Sequence, residues 1–185
     1  MRWNLPNALT WARIAAIPLV VLLFYMPYPW ADPAAGLLFA AAGITDSLDG
    51  YFARRWGQLS RLGAFLDPVA DKLIVATALV LLVSRDPRAL IVLTAAVIIG
   101  REITISALRE WMAEIGARRK VAVSQLGKYK TILQITGLSM MLYRVQLFGL
   151  LPTYRLGVVL TEIAAVATLV SMVVYLRAAW PELKR

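Results

Sequence analysis

The stretch DSLDGYFARRWGQLSRLGAFLDPVAD, Asp46 to Asp71, puts four aspartates within 26 residues of a chain that is 60% hydrophobic. Apolar runs of about bilayer length flank it on both sides. A carboxylate near hydrocarbon is costly, so the cluster asks for a function. Asp46 and Asp49 are three apart, and Asp67 and Asp71 are four apart. In helices each pair shares one face, about one turn apart. Gly57 and Gly63 in the connection let the two helices fold back antiparallel, so the pairs meet at one end of a hairpin. Pro68 suits the first turn of the second helix, and Asp67 before it suits the cap.

Outward from this stretch the chain reads as six apolar spans, roughly 5–26, 34–54, 65–83, 89–105, 131–150 and 154–176. PYPWADP breaks the first from the second, and SRDPR turns the third into the fourth. Residues 101–114 extend the fourth helix beyond the membrane. The first run lacks a small-residue cleavage site and is expected to be a retained helix. No internal repeat or linker interrupts the chain, so residues 1–185 form one domain. The expected fold is an all-α integral membrane protein, six transmembrane helices around a polar metal-binding cavity at the cytoplasmic side.

The formal charge of +9 would suggest nucleic acid in a soluble protein. Here the charge lies between apolar spans, where it sets orientation and meets anionic lipid heads, so no nucleic-acid partner is expected. Sixteen of the 20 Lys and Arg residues fall at the termini and in the 2–3 and 4–5 connections. The other side holds Arg85, Arg88, Arg144 and Arg155. Both termini and the aspartates therefore face the cytoplasm.

Cysteine and histidine are absent, which excludes disulfides, thiol nucleophiles and histidine bases. Oxygen donors select hard ions such as Mg²⁺, Mn²⁺ or Ca²⁺. Four ionised carboxylates in one pocket carry about −4 and repel, which raises their pKa values. Two divalent cations would neutralise that charge and suit displacement at phosphorus. One aspartate at the rim could take a proton from an attacking hydroxyl. A single aspartate near a span end reads as an interfacial cap; four at these spacings on facing helices read as a cation site. Gly50 and Ala53 beside them leave room for a ligand, whereas Gly36, Ala40 and Gly43 read as helix-packing residues.

With its spacing, the stretch is D-x2-D-G-x2-A-R-x8-G-x3-D-x3-D, at Asp46, Asp49, Gly50, Ala53, Arg54, Gly63, Asp67 and Asp71. It resembles the signature of the CDP-alcohol phosphotransferase family, without departure at any defined position. The match covers 26 residues, and the six spans around it suit the family. The resemblance implies that a CDP-linked donor releases CMP as an alcohol hydroxyl attacks phosphorus. It further implies that Asp46, Asp49, Asp67 and Asp71 bind two divalent cations, Mg²⁺ or Mn²⁺. Asp71 would also be the general base. Asp46, Asp49, Gly50, Ala53, Arg54 and Gly63 would border the cytidine diphosphate.

NLPNALTWARIAAIP, GREITISALRE and LGKYKT resemble the subgroup of that family that joins CDP-diacylglycerol to glycerol 3-phosphate, making phosphatidylglycerol phosphate. A dianionic acceptor beside an acidic site needs cationic donors, and Arg101, Arg109, Lys128 and Lys130 offer them. Arg101 and Arg109 are eight apart, close to one helix face. Arg118, Arg119 and Lys120 read as orientation charge. Asn7, Thr10 and Arg13 can approach the same cavity, though Asn7 and Thr10 also suit a helix start. The resemblance also implies a homodimer in the cytoplasmic (inner) membrane of a bacterium, in contact with membrane lipids. Three rivals stand: another acceptor such as serine or inositol phosphate, a divalent-cation transporter, and a purely structural membrane protein. A transporter should continue its acids across the membrane, and Glu162 is the only acid in the fifth and sixth spans.

Overall fold

The computed structural model describes the backbone of residues 5–56, 61–117, 125–147 and 149–184, and the side chains of 8–45, 65–117, 129–147, 149–182 and 184. Six α-helices account for most of it: α1 (Leu5–Tyr25), α2 (Ala31–Trp56), α3 (Arg61–Arg85), α4 (Ala89–Glu114), α5 (Gln125–Tyr143) and α6 (Thr153–Leu183). The chain order and helix character follow the sequence reading, including the extension of α4 to Glu114.

Five helix boundaries differ clearly from expectation, among them the start of α5 at Gln125 rather than near 131 and the end of α6 at Leu183 rather than near 176. α2 begins at Ala31, because Pro33 is tolerated in a first turn, where its missing N–H costs nothing. α3 begins at Arg61, so Gly63 lies inside the helix rather than in the connection. Pro68 is then interior, and Asp67 is a helical residue rather than a cap. The proline leaves a carbonyl one turn earlier without its helical donor. α5 was expected to run to Leu150 but stops at Tyr143. Arg144 takes the left-handed conformation (φ 57°), Gly149 does the same (φ 70°), and Leu147 and Leu151 close a turn. Thr153 Oγ1 donates to the Val145 carbonyl at 2.9 Å, and the Arg144 guanidinium lies 5.1 Å from the Tyr154 ring. These contacts tie the turn to the start of α6.

That early stop lets α5 and α6 fold back on each other at two glycines. A Cβ on Gly157 would lie 2.6 Å from the Gly137 carbonyl oxygen, and one on Gly137 would lie 2.9 Å from the Gly157 carbonyl oxygen. A Cβ on Gly36 would lie 2.7 Å from the Tyr143 backbone, and one on Gly43 would lie 2.6 Å from the Ile135 side chain, which bears out both as packing residues between α2 and α5. Gly157→Ala is expected to cost about 1–3 kcal/mol, since fixed backbone cannot yield. Gly100→Ala meets nothing within 4 Å and should be neutral or mildly stabilising. Thermal unfolding in detergent checks this; equal midpoints for the two variants would refute the close approach.

α1 packs on α2 and α3, α5 on α2 and α6, and α4 on α6 and α3. The main core joins Val20, Phe24, Phe39, Ile74, Leu82, Ile98, Leu138 and Leu142. A second cluster, Ile105, Leu108, Met112, Tyr175 and Ala179, holds α4 to α6 beyond it. Among the described residues, three helical windows are long and apolar enough to cross a membrane: 8–25, 89–114 and 153–182. Only 28% of each is buried inside the protein. Leu19, Leu22, Leu93, Ile163, Val166, Val170 and Val174 face outward, as a lipid solvent requires and water does not. The fold is thus all-helical and of membrane character.

Candidate active site

α1 and α3 pack so that two pairs of polar side chains face each other. Asp67 and Asp71 stand one turn apart on α3; Thr10 and Arg13 stand one turn apart on α1. Thr10 Oγ1 donates to Asp67 Oδ1 at 2.5 Å, and Arg13 Nη1 donates to Asp71 Oδ1 at 2.8 Å. The donors are buried, each only 2% exposed, whereas the Asp71 side chain is 38% exposed. The carboxylates are therefore held by a buried scaffold and remain within reach of the surface. Thr10, which also suits a helix start, thus meets an aspartate of α3. Arg13 is likewise a partner of Asp71, beyond any role in orientation.

Asp46, Asp49, Gly50, Ala53 and Arg54 lie on the last turns of α2, and Gly63 in the first turn of α3, but their side-chain positions fall outside the described residues. Asn7 does so as well. The described pair, Asp67 and Asp71, offers carboxylate oxygens one helical turn apart. This donor chemistry fits a hard divalent cation.

The basic residues converge on a different seam. The Arg101 guanidinium donates to the Glu102 carboxylate and, at 3.3 Å, to Ser171 Oγ. Lys130 Nζ on α5 lies 3.6 Å from the same Glu102 carboxylate. Arg109 donates to the Tyr175 hydroxyl at 3.4 Å, with its guanidinium 5.3 Å from that ring. Arg101 and Arg109 do share a face of α4, and both turn toward α6. Nε of each is buried and has no partner among the described residues. Lys130 is 4% exposed and sits one residue before the expected apolar span. Burial, with Arg101 and Arg109 nearby, lowers its pKa to about 8, against the opposing pull of Glu102. Lys128, Arg118, Arg119 and Lys120 fall outside the described side chains.

The sequence reading did not single out Glu102, Ser171 or Tyr175. Ser171 and Tyr175 are four apart in an otherwise apolar helix, which is a readable polar stripe. Glu102 was hidden by its neighbour, since an acid beside an arginine reads as ordinary surface charge.

Another polar set closes the opposite end of the bundle. Arg85 bridges Asp32 at 2.6 Å and the Phe24 carbonyl, so one guanidinium ties α3 to α1 and α2. Asp86 accepts from Arg88 and from the Tyr154 hydroxyl, and Arg88 holds its carboxyl well below the usual range. Because the helices alternate in direction, these contacts fix which ends lie together. Thr10, Arg13, Asp67, Asp71, Arg101, Arg109 and Lys130 all lie toward the other end.

Residues 3–177 match the sequence model of the CDP-alcohol phosphatidyltransferase family. The chain belongs to this family. Proteins from Escherichia coli (strain K12), Escherichia coli O157:H7 and Shigella flexneri serotype 5b (strain 8401) are each 49% identical to it over 183 residues. The alignments cover 99% of this chain and 98% of each relative. All three relatives are named CDP-diacylglycerol–glycerol-3-phosphate 3-phosphatidyltransferase. As a CDP-alcohol phosphatidyltransferase the chain is an enzyme.

Proposed function

We propose that the protein transfers a phosphatidyl group from CDP-diacylglycerol to the primary hydroxyl of glycerol 3-phosphate. CMP leaves and phosphatidylglycerol phosphate is formed. The observation that carries the acceptor is the grouping of Arg101, Arg109 and Lys130 at the aspartate end of the bundle. Three cations in one seam suit a phosphate dianion, and a neutral or zwitterionic alcohol would not need them. The names of the 49%-identical relatives support the same acceptor.

Asp46, Asp49, Asp67 and Asp71 would hold two divalent cations, Mg²⁺ or Mn²⁺. When bound, such ions neutralise the diphosphate and clamp its phosphoryl oxygens. Thr10 and Arg13 orient Asp67 and Asp71 from below. Asp71 accepts the proton of the acceptor hydroxyl. The hydroxyl oxygen then bonds to the lipid-side phosphorus. The bond from that phosphorus to the diphosphate bridge breaks, and its electron pair leaves with CMP. Gly50, Ala53, Arg54 and Gly63 border the nucleotide. Arg101, Arg109, Lys128 and Lys130 hold the acceptor phosphate.

The reading extends to placement. All six helices span the cytoplasmic membrane of a bacterium, with both termini and the site on the cytoplasmic side, as the charge asymmetry supports. The acyl chains of the donor stay in lipid while its headgroup enters the cavity. A homodimer accords with the family resemblance.

The test is CMP release by purified protein given CDP-diacylglycerol, Mg²⁺ and glycerol 3-phosphate, with serine and inositol phosphate in parallel. Metal-dependent release with glycerol 3-phosphate alone supports the proposal. Release only with another alcohol would overturn the acceptor, and no metal-dependent release with any acceptor would sink the reaction.

A further inference from the structure

Glu102 covers the cationic pair assigned above to the acceptor phosphate. Its carboxylate accepts from Arg101 and lies 3.6 Å from Lys130 Nζ. Exposure across the three side chains is uneven: 10% for Arg101, 4% for Lys130 and 30% for Glu102. The cations are the more deeply buried groups, and the carboxylate is the more exposed one. Arg101, Arg109 and Lys130 carry three positive charges and Glu102 one negative, which leaves two, the charge of a phosphate dianion reversed. Buried cations with no anion would repel one another and suffer uncompensated desolvation. These cations therefore need a counter-charge, and Glu102 supplies it.

We propose that Glu102 is the resident counter-anion of this site, displaced from Arg101 and Lys130 when a phosphorylated acceptor binds. The inference rests on the reading of Arg101 and Lys130 as phosphate-binding residues. A phosphate dianion competes for the same donors and brings more charge than the carboxylate it displaces. A neutral alcohol has no anion to offer and meets cations already satisfied. Glu102 thus limits the affinity of the site and selects against acceptors without a phosphate. It is a specificity-determining residue, since it touches the phosphate-binding groups and none of the reacting atoms.

Glu102→Gln keeps the shape and removes the charge. Titration of inorganic phosphate into the purified protein should show binding tightened by about tenfold, less than a whole charge-assisted contact is worth, because only a competing carboxylate is removed. The KM for glycerol 3-phosphate should fall in parallel, while the KM for CDP-diacylglycerol stays within about twofold. Glu102→Asp, which withdraws the carboxylate by one methylene, should lie between and decides the matter if the glutamine variant does not fold. Weaker phosphate binding in either variant would make Glu102 a brace and overturn the proposal, as would binding left unchanged. Phosphate binding needs no turnover. If it tightens while glycerol 3-phosphate supports no CMP release, the proposal stands and only the acceptor reading fails.

Discussion

Asp71→Asn lowers CMP release by about a thousandfold, the middle of the range for removing a general base. The substitution is nearly isosteric. Its amide oxygen can still accept from Arg13 Nη1, so the 2.8 Å contact that positions the residue survives while the proton acceptor is lost. Asp67→Asn is the matched control. It preserves the bond from Thr10 and removes only a ligand charge. The two variants should part on metal titration. Activity of Asp67→Asn should climb as Mg²⁺ is raised, because weaker ligation is overcome by concentration. Activity of Asp71→Asn should stay low at saturating Mg²⁺, because no concentration of ion restores a base. Retention of more than about a tenth of the wild-type rate by Asp71→Asn would remove it from that role.

Arg13 gives the same argument a structural arm. Its guanidinium is buried against a carboxylate that is 38% exposed. Arg13→Gln leaves Asp71 in place but frees its rotamer. The rate should fall less than in Asp71→Asn, since misplacement is milder than loss of the group.

The sequence made the acidic half of the site legible because helix geometry is local. Spacings of three and four put Asp46 with Asp49 and Asp67 with Asp71 on shared faces whatever the tertiary fold. The partners Thr10 and Arg13 were legible only as candidates, since their meeting with α3 depends on how α1 crosses it. The helix ends were read less well, for physical reasons. Pro33 and Pro68 were read as boundary residues, yet a proline in a first turn is compatible with helix and an interior one is tolerated where packing is strong. The end of α5 was misread because an apolar run through Leu150 looks continuous. The helix ends where Arg144 takes the left-handed conformation and the turn is tied to Thr153 and Tyr154 of α6, contacts between segments that no single segment displays. Glu102, Ser171 and Tyr175 were missed on the same ground: each matters through a neighbour on another helix.

Arg101→Met and Lys130→Met should each raise the KM for glycerol 3-phosphate by about a hundredfold, since each deletes a charge-assisted contact to a dianion. The KM for CDP-diacylglycerol should hold within about twofold, because the nucleotide is assigned to α2 and the start of α3. Arg101→Lys should not restore wild-type values. A lysine has no planar fork with which to meet Ser171 and a phosphate oxygen together. Acidity separates the two methionine variants. Lys130 has its pKa lowered to about 8, so its charge is present below that value and lost above it. The acceptor phosphate is a dianion above roughly pH 6. In wild type, kcat/KM for glycerol 3-phosphate should therefore be highest between these limits and fall as pH rises through about 8. Lys130→Met should lose that alkaline limb, and Arg101→Met should keep it but move it to higher pH, since Arg101 helps to lower the Lys130 pKa. The profile of kcat should lack the limb, because bound phosphate holds the Lys130 proton and moves its titration upward. An alkaline limb that persists in Lys130→Met would assign it to another group and leave Lys130 as a packing residue of the α4–α5 seam.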